Sequence, residues 1–285
     1  MEALKMIMRS TDIQIARASG QVLNVERLQI NVYKDKTIRP LVHEVSFSIA
    51  QGETFALVGE SGSGKSMTAS AIAGLLPKSI RVASGHIFFH GEEVQSWPEK
   101  TRAKLRGTQI GWIFQNYQGS FTPFFTIGGQ LNEMVRSHRD LSRRAAKDMV
   151  YYWLDQAALP AERIYGSYPF QLSGGQRQRA AIAAALMLEP SLVIADEPTT
   201  ALDVLTGDRI LELISRLQSR TGCSVLFISH DLRHVLKHSS RIGVMREGRI
   251  VEQGDTAQIR SSPQHPYTKM LLDACPRLDA PPLYS

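Results

Sequence analysis

Residues 54–66 read TFALVGESGSGKS, an apolar run of strand length that breaks into glycines and closes on a lysine and a serine. The second part fits the spacing G-x-x-x-x-G-K-[ST], and helix-forming residues continue from it to Leu76. Glycines let the backbone wrap a phosphate with its N–H groups pointing inward, and a helix N-terminus behind them adds a favourable dipole. Gly59, Glu60, Ser61, Gly62, Ser63, Gly64, Lys65 and Ser66 are therefore expected to bind nucleotide phosphates. Lys65 would supply a point charge for the β- and γ-phosphates, and the Ser66 hydroxyl a magnesium ligand. A glycine-rich turn before a helix is the plain alternative, and the strand–loop–helix context speaks against it. The motif by itself says nucleotide and nothing more.

Outward from this loop, strand and helix patterns alternate. Upstream, VERLQINVY and LVHEVSFSI carry strand-type apolar spacing, and residues 1 to about 24 show no sustained period, which predicts a loose extension. Downstream, GHIFFHG and TQIGWIF read as strands, the second running to Gln115. From Asn116 to about residue 187 the pattern turns helical, broken by Gly166 and Pro169, as an inserted subdomain would be. SLVIAD, a helix from Val204, CSVLFISH and the hairpin IGVMREGRIVEQG follow. Such alternation implies an α/β fold with a largely parallel sheet covered on both faces.

SLVIAD ends in Asp196 and is followed at once by Glu197. At a strand end the chain turns, so both carboxylates can reach a site beyond the sheet edge. Asp196 is placed to hold magnesium, and Glu197 to orient and polarise an attacking water. His230 ends the strand CSVLFIS, from where an imidazole can reach a γ-phosphate; a satisfied polar side chain is the commoner reading of a lone histidine.

Composition bounds the rest. With 285 residues the chain can bury one substantial core, and 43% hydrophobic residues against 21% charged argue against disorder. The longest apolar stretch, residues 180–188, is too short to cross a bilayer, and the N-terminal residues lack the pattern of a signal peptide, so a cytoplasmic location is expected. Cys223 and Cys275 are too few for a disulfide framework or a cysteine-ligated cluster. The net charge of +6 is scattered over helical patterns and suits an anionic nucleotide or a membrane surface as well as it suits nucleic acid, so no nucleic-acid partner is expected.

A second anion-seeking element, LSGGQRQR at residues 172–179, opens a helical run and carries two glycines, a hydroxyl and no lysine. A capping turn would explain Ser173 alone. In the order GESGSGKS, Gln115, LSGGQ, ADEP, TALD, ISHD, residues 25 to about 260 resemble the ATPase subunits of ABC transporters. The resemblance implies a P-loop cassette with a RecA-like core, an antiparallel β subdomain and an inserted helical subdomain. It implies a head-to-tail dimer in which ATP, with Mg2+, is sandwiched between one subunit's phosphate loop and the other's signature. Ser173, Gly174, Gly175 and Gln176 would then act on the partner's nucleotide, with Asp203 at the seam. Gln115 would sense magnesium and water and touch the membrane subunits, and Tyr33 would stack on adenine, although an edge-strand tyrosine is a comparable reading.

Within the family, GESGSGKS, DEPTTALD and the tail SSPQHPYTKMLLDACPRL, residues 261–278, look like the dipeptide, oligopeptide and nickel importer branch. The segment after Gln115, NYQGSFTP, departs from the aspartate–proline usual there, and only Pro123 matches. A tail to residue 285 with Cys275 alone, lacking a cysteine-rich extension, leans towards nickel or metal-chelate uptake. The implied partners are a second homologous ATPase, expected as a heterodimer, two integral membrane permeases and, indirectly, an extracytoplasmic solute-binding protein. The chain would sit peripherally on the cytoplasmic face of the inner membrane. Soluble ABC ATPases acting in translation or DNA repair are the rival, but they usually carry paired cassettes or long coiled coils. An exporter cassette and a regulatory subunit without turnover fit less well, given the tail and the intact Lys65, Glu197 and His230.

Overall fold

The computed structural model describes residues 20–34, 37–200 and 202–275. The expected N-terminal extension lies outside the described residues up to residue 19, and its boundary moves. Strand β1 (Gln21–Lys34) already begins at Gln21, because Val22 and Leu23 are buried and Leu23 pairs with Ile49 on one side and Phe89 on the other. β2 (Thr37–Ala50), β4 (Ile80–Phe89) and β5 (Glu92–Glu93) complete an antiparallel sheet of order β2-β1-β4-β5. β4 runs five residues ahead of the stretch that reads as a strand in sequence. Gly85 interrupts the pattern there with φ +91°, and a Cβ on it would lie 2.3 Å from the Arg27 carbonyl oxygen.

The second sheet has the order β10-β9-β3-β8-β7-β6, with β3 (Thr54–Val58), β6 (Ile110–Ile113), β7 (Leu192–Asp196), β8 (Ser224–Ser229) and β9 (Arg241–Arg246) parallel and β10 (Arg249–Asp255) antiparallel at the edge. Its central strands are apolar through their middles because both faces are covered. Phe55, Leu57, Ile194, Leu226 and Ile228 pack towards the first sheet and helix α1 (Lys65–Ala73). Ala56, Val58, Val193, Ala195, Val225 and Phe227 pack into the other cluster with the remaining helices. Successive strand residues feed opposite cores, as the two-residue period of a strand demands.

A short helix α2 (Glu99–Leu105), not foreseen in the sequence, precedes β6. Between β6 and β7 lie a 3-10 turn (Tyr117–Ser120) and helices α3 (Ile127–His138), α4 (Arg143–Gln156), α5 (Ala161–Gly166) and α6 (Gly174–Leu186). Thr126 and Ser142 cap α3 and α4 through their hydroxyls, and fully buried Trp153 and Leu154 anchor α4 in the core. Helix α7 (Val204–Thr221) ends on Gly222 at φ +70°, and α8 (Leu232–His238), α9 (Thr256–Ser261) and α10 (Pro266–Asp273) follow. Helix α10, assigned in sequence to a separate tail, is part of the core, with Tyr267 only 2% exposed.

Candidate nucleotide site

Four neighbouring parallel strands deliver the expected residues to one edge. The phosphate loop follows β3, His230 follows β8, Asp196 ends β7 with Glu197 next, and Gln115 lies two residues past β6. This carboxyl edge is where ligands bind in open α/β sheets.

The loop's glycines carry strained backbone that only they adopt cheaply. Gly59 lies against β9, where a Cβ would fall 2.0 Å from the Met245 carbonyl oxygen, and Gly64 caps α1 at φ +104°. Backbone bonds from Gly248 N–H to Ser63 O (3.0 Å) and from His43 N–H to Gly248 O (2.8 Å) brace the loop from behind. Lys65 is buried, and its ammonium donates to Gly59 O at 2.8 Å, Glu60 O at 2.7 Å and Ser63 Oγ at 3.2 Å. Burial lowers its pKa, against the raising pull of Glu197, Asp196 and Glu60. Gly62, at φ +82°, has open space around its missing Cβ, and Ser61 is exposed at the loop tip.

Ser66 Oγ donates to Asp196 Oδ1 at 2.8 Å, joining α1 to β7. Burial raises the Asp196 pKa; the Ser66 hydrogen bond opposes that, Glu197 adds to it and Lys65 opposes it. A hydroxyl and a partly buried carboxylate in direct contact form the all-oxygen donor set that suits a hard cation such as magnesium, whose charge would offset the cost of ionised Asp196. Among the described residues no cluster of three histidine, cysteine or acidic side chains forms a protein-only cation cage, so phosphate and water oxygens would fill such an ion's remaining positions.

Glu197 is held from three sides. Gln115 Nε2 donates to Oε2 at 3.0 Å, Thr200 Oγ donates to Oε2 at 2.9 Å, and His230 Nδ1 lies 3.2 Å from Oε1. Its backbone takes φ +46°, fixed by its N–H to Ile228 O at 2.9 Å and by Thr200 N–H to its own carbonyl at 3.2 Å. Thr200 escapes sequence reasoning, since one of two adjacent threonines gives no signal of its own. Gln178 escapes it too, although it is buried and donates to the Pro198 carbonyl, tying α6 to the turn after Glu197.

Ser173 and Gly174 stand exposed at the start of α6. Ser173 Oγ accepts the Gln176 N–H at 3.3 Å, and Gln176 Oε1 accepts the Ser173 N–H at 3.2 Å. Helix capping thus accounts for Gln176 as well as Ser173, a correction to the reading that it explains the serine alone. Gly175 has open space around its missing Cβ. Asp203 caps α7 by accepting the Thr206 N–H at 3.0 Å, and hydrogen bonding to Thr206 lowers its pKa. Tyr33 lies near the end of β1, exposed, with the Arg81 guanidinium 5.7 Å from its ring centroid.

A lysine–serine phosphate loop and a strand-end carboxylate pair whose glutamate is clamped define a P-loop site for nucleotide hydrolysis. Residues 42–200 match the family described as ABC transporter, and residues 251–283 match the oligopeptide/dipeptide transporter C-terminal region. The chain is 43% identical over 262 residues to the dipeptide transport ATP-binding protein DppD of Bacillus subtilis strain 168, covering 91% of this chain and 78% of that one. It is 44% identical over 264 residues to the uncharacterized ABC transporter ATP-binding protein YejF of Escherichia coli strain K12, covering 92% of this chain; it spans about half (50%) of YejF's length. The solved ATP-binding cassette MJ0796, a dimer bound to ADP and Pi, gives a TM-score of 0.73 at 27% identity over 82% of this chain and 98% of that one. The chain belongs to the ABC transporter family, and its fold is that of an ATP-hydrolysing cassette.

Proposed function

We propose that the chain is the ATP-hydrolysing motor subunit of a membrane importer for di- or oligopeptides. The observation that carries the reading is the clamp on Glu197, built from three separate strand ends beside the phosphate loop. Glu197 would orient and polarise the water that attacks the γ-phosphoryl group, with Gln115, Thr200 and His230 fixing its carboxylate. Lys65 would exchange its loop carbonyls for phosphate oxygens, and Ser66, Asp196 and Gln115 would hold Mg2+. Bound there, the ion would neutralise charge on the β- and γ-phosphates. Tyr33 would stack on adenine, and Ser173, Gly174, Gly175, Gln176 and Asp203 would complete the site of a second, homologous ATPase subunit.

The C-terminal match and the dipeptide assignment of DppD support peptide cargo; nothing in either supports the nickel or metal-chelate alternative. The same match disfavours a soluble ATPase of translation or DNA repair. Among the described residues no helix is long and apolar enough to cross a membrane, so translocation would need permease partners. A surface for them is supported by aromatics beside the Gln115 segment. Phe124 and Phe125 are 81% and 62% exposed, and the Ile127 N–H to Ser167 O bond (2.9 Å) brings them towards exposed Tyr168 and Phe170.

The test is to copurify the chain with its permeases, reconstitute the complex in vesicles and measure ATP turnover with loaded solute-binding protein. Peptide-loaded protein should stimulate turnover several-fold. Stimulation by nickel-loaded protein alone, or a chain that never copurifies with membrane subunits, would overturn the proposal.

A further inference from the structure

Helix α10 is tied to the sheet before it begins. Glu252 of β10 accepts the backbone N–H groups of Gln264 at 2.7 Å and His265 at 2.9 Å, and His265 Nδ1 caps the helix by accepting the Tyr267 N–H at 3.1 Å. This anchoring drives the Tyr267 side chain inward, where the Arg246 guanidinium lies 4.9 Å from its ring centroid. Its phenolic oxygen accepts the Glu60 N–H at 3.1 Å. The same peptide unit is held at its other end, since Lys65 Nζ donates to Gly59 O at 2.8 Å. Met245 closes the third side, allowing no Cβ at Gly59.

We infer that Tyr267 is a positioning residue for the phosphate loop: its hydroxyl fixes the plane of the 59–60 peptide, so the loop is preorganised to receive phosphate. The inference rests on the nucleotide-site reading above and goes beyond it by making the C-terminal helix a structural part of that site. A phenol is neutral around pH 7 in any case, and burial raises the pKa of this one further. Without the hydroxyl the Glu60 N–H loses its partner and the peptide can rotate, so the loop must order itself at the moment of binding. Glu197 and its clamp are not touched, so the loss should fall on nucleotide affinity rather than on the chemical step.

The test uses the full chain and a fluorescent ATP analogue with magnesium. Tyr267→Phe, which keeps the ring under Arg246, should bind about fivefold more weakly, the size of one neutral hydrogen bond. In the assembled complex the KM for ATP should rise by about the same factor with kcat within about twofold. Met270→Ala, on the exposed face of the same helix, should leave both unchanged. Affinity of Tyr267→Phe within twofold of wild type, or a loss confined to kcat, would overturn the inference. Hydrogen exchange on the unmodified chain is independent of any variant: a Glu60 amide exchanging as fast as an unprotected one would also overturn it. Lys65→Ala separates the two levels, since normal nucleotide binding by that variant would sink the nucleotide site itself.

Discussion

Glu197 adopts a backbone conformation that side-chain-bearing residues rarely take, at φ +46°. Such a conformation costs about 1–3 kcal/mol and persists only where surrounding bonds over-determine it, here the links to Ile228 and Thr200. The turn aims the carboxylate out of the strand line and into the reach of Gln115, Thr200 and His230. Glu197→Gln keeps the shape and removes the base, so kcat for ATP should fall about a hundredfold or more while ATP affinity stays near wild type. Steady-state turnover of the assembled complex and nucleotide titration check both halves, and normal turnover would refute the assigned role. At this scale the sequence was legible where chemistry is carried by acidic or glycine-rich spacing. Thr200 was not legible, because Thr199 and Thr200 differ only in direction: Thr199 Oγ lies 3.3 Å from His234 Nδ1, and Thr200 turns to Glu197.

Single elements are placed by close backbone approach as much as by apolar pattern. Gly111 in β6 lies against the C-terminal turn of α6, where a Cβ would fall 2.2 Å from the Ala185 carbonyl oxygen. Gly111→Ala should therefore lower stability by about 1–3 kcal/mol, measured by denaturant unfolding, through forced separation of strand and helix. A change under 0.5 kcal/mol would show that the pair yields freely. The strands of the large sheet were readable from their short apolar runs and the longer helices from their period, whereas the short helices α2, α8 and α9 were not foreseen. Three further features escaped the sequence. The first residues of β1 carry the buried pair Val22–Leu23 without enough alternation to mark a strand start. Gly85 interrupts β4 in sequence, where the chain in fact continues through it. The destination of α10 depends on Glu252 and Arg246, which nothing in its own apolar pattern identifies.

Under the proposed function the molecule as a whole would present half of each of two sites. The phosphate loop faces one edge, and the Ser173 end of α6 is exposed with its helix capped by its own residues, so an arginine there should block a partner without emptying the loop. Ser173→Arg should bind ATP as a monomer but lose ATP-dependent dimerisation when combined with Glu197→Gln, as read by analytical ultracentrifugation. Dimers persisting at wild-type strength would refute a shared site.

The pairing of β3 has a temporal meaning. Its two neighbours, β8 and β9, lie some 170 to 190 positions later in the chain, with Thr54 opposite Val225 and Phe55 opposite Arg241. A nascent polypeptide leaving the ribosome therefore displays the TFALV segment bare on both edges until most of the protein has been made, and closing so long a loop is slow. During that interval an apolar segment destined for the centre of the large sheet lies without either neighbour, the condition under which unpaired strand edges favour aggregation.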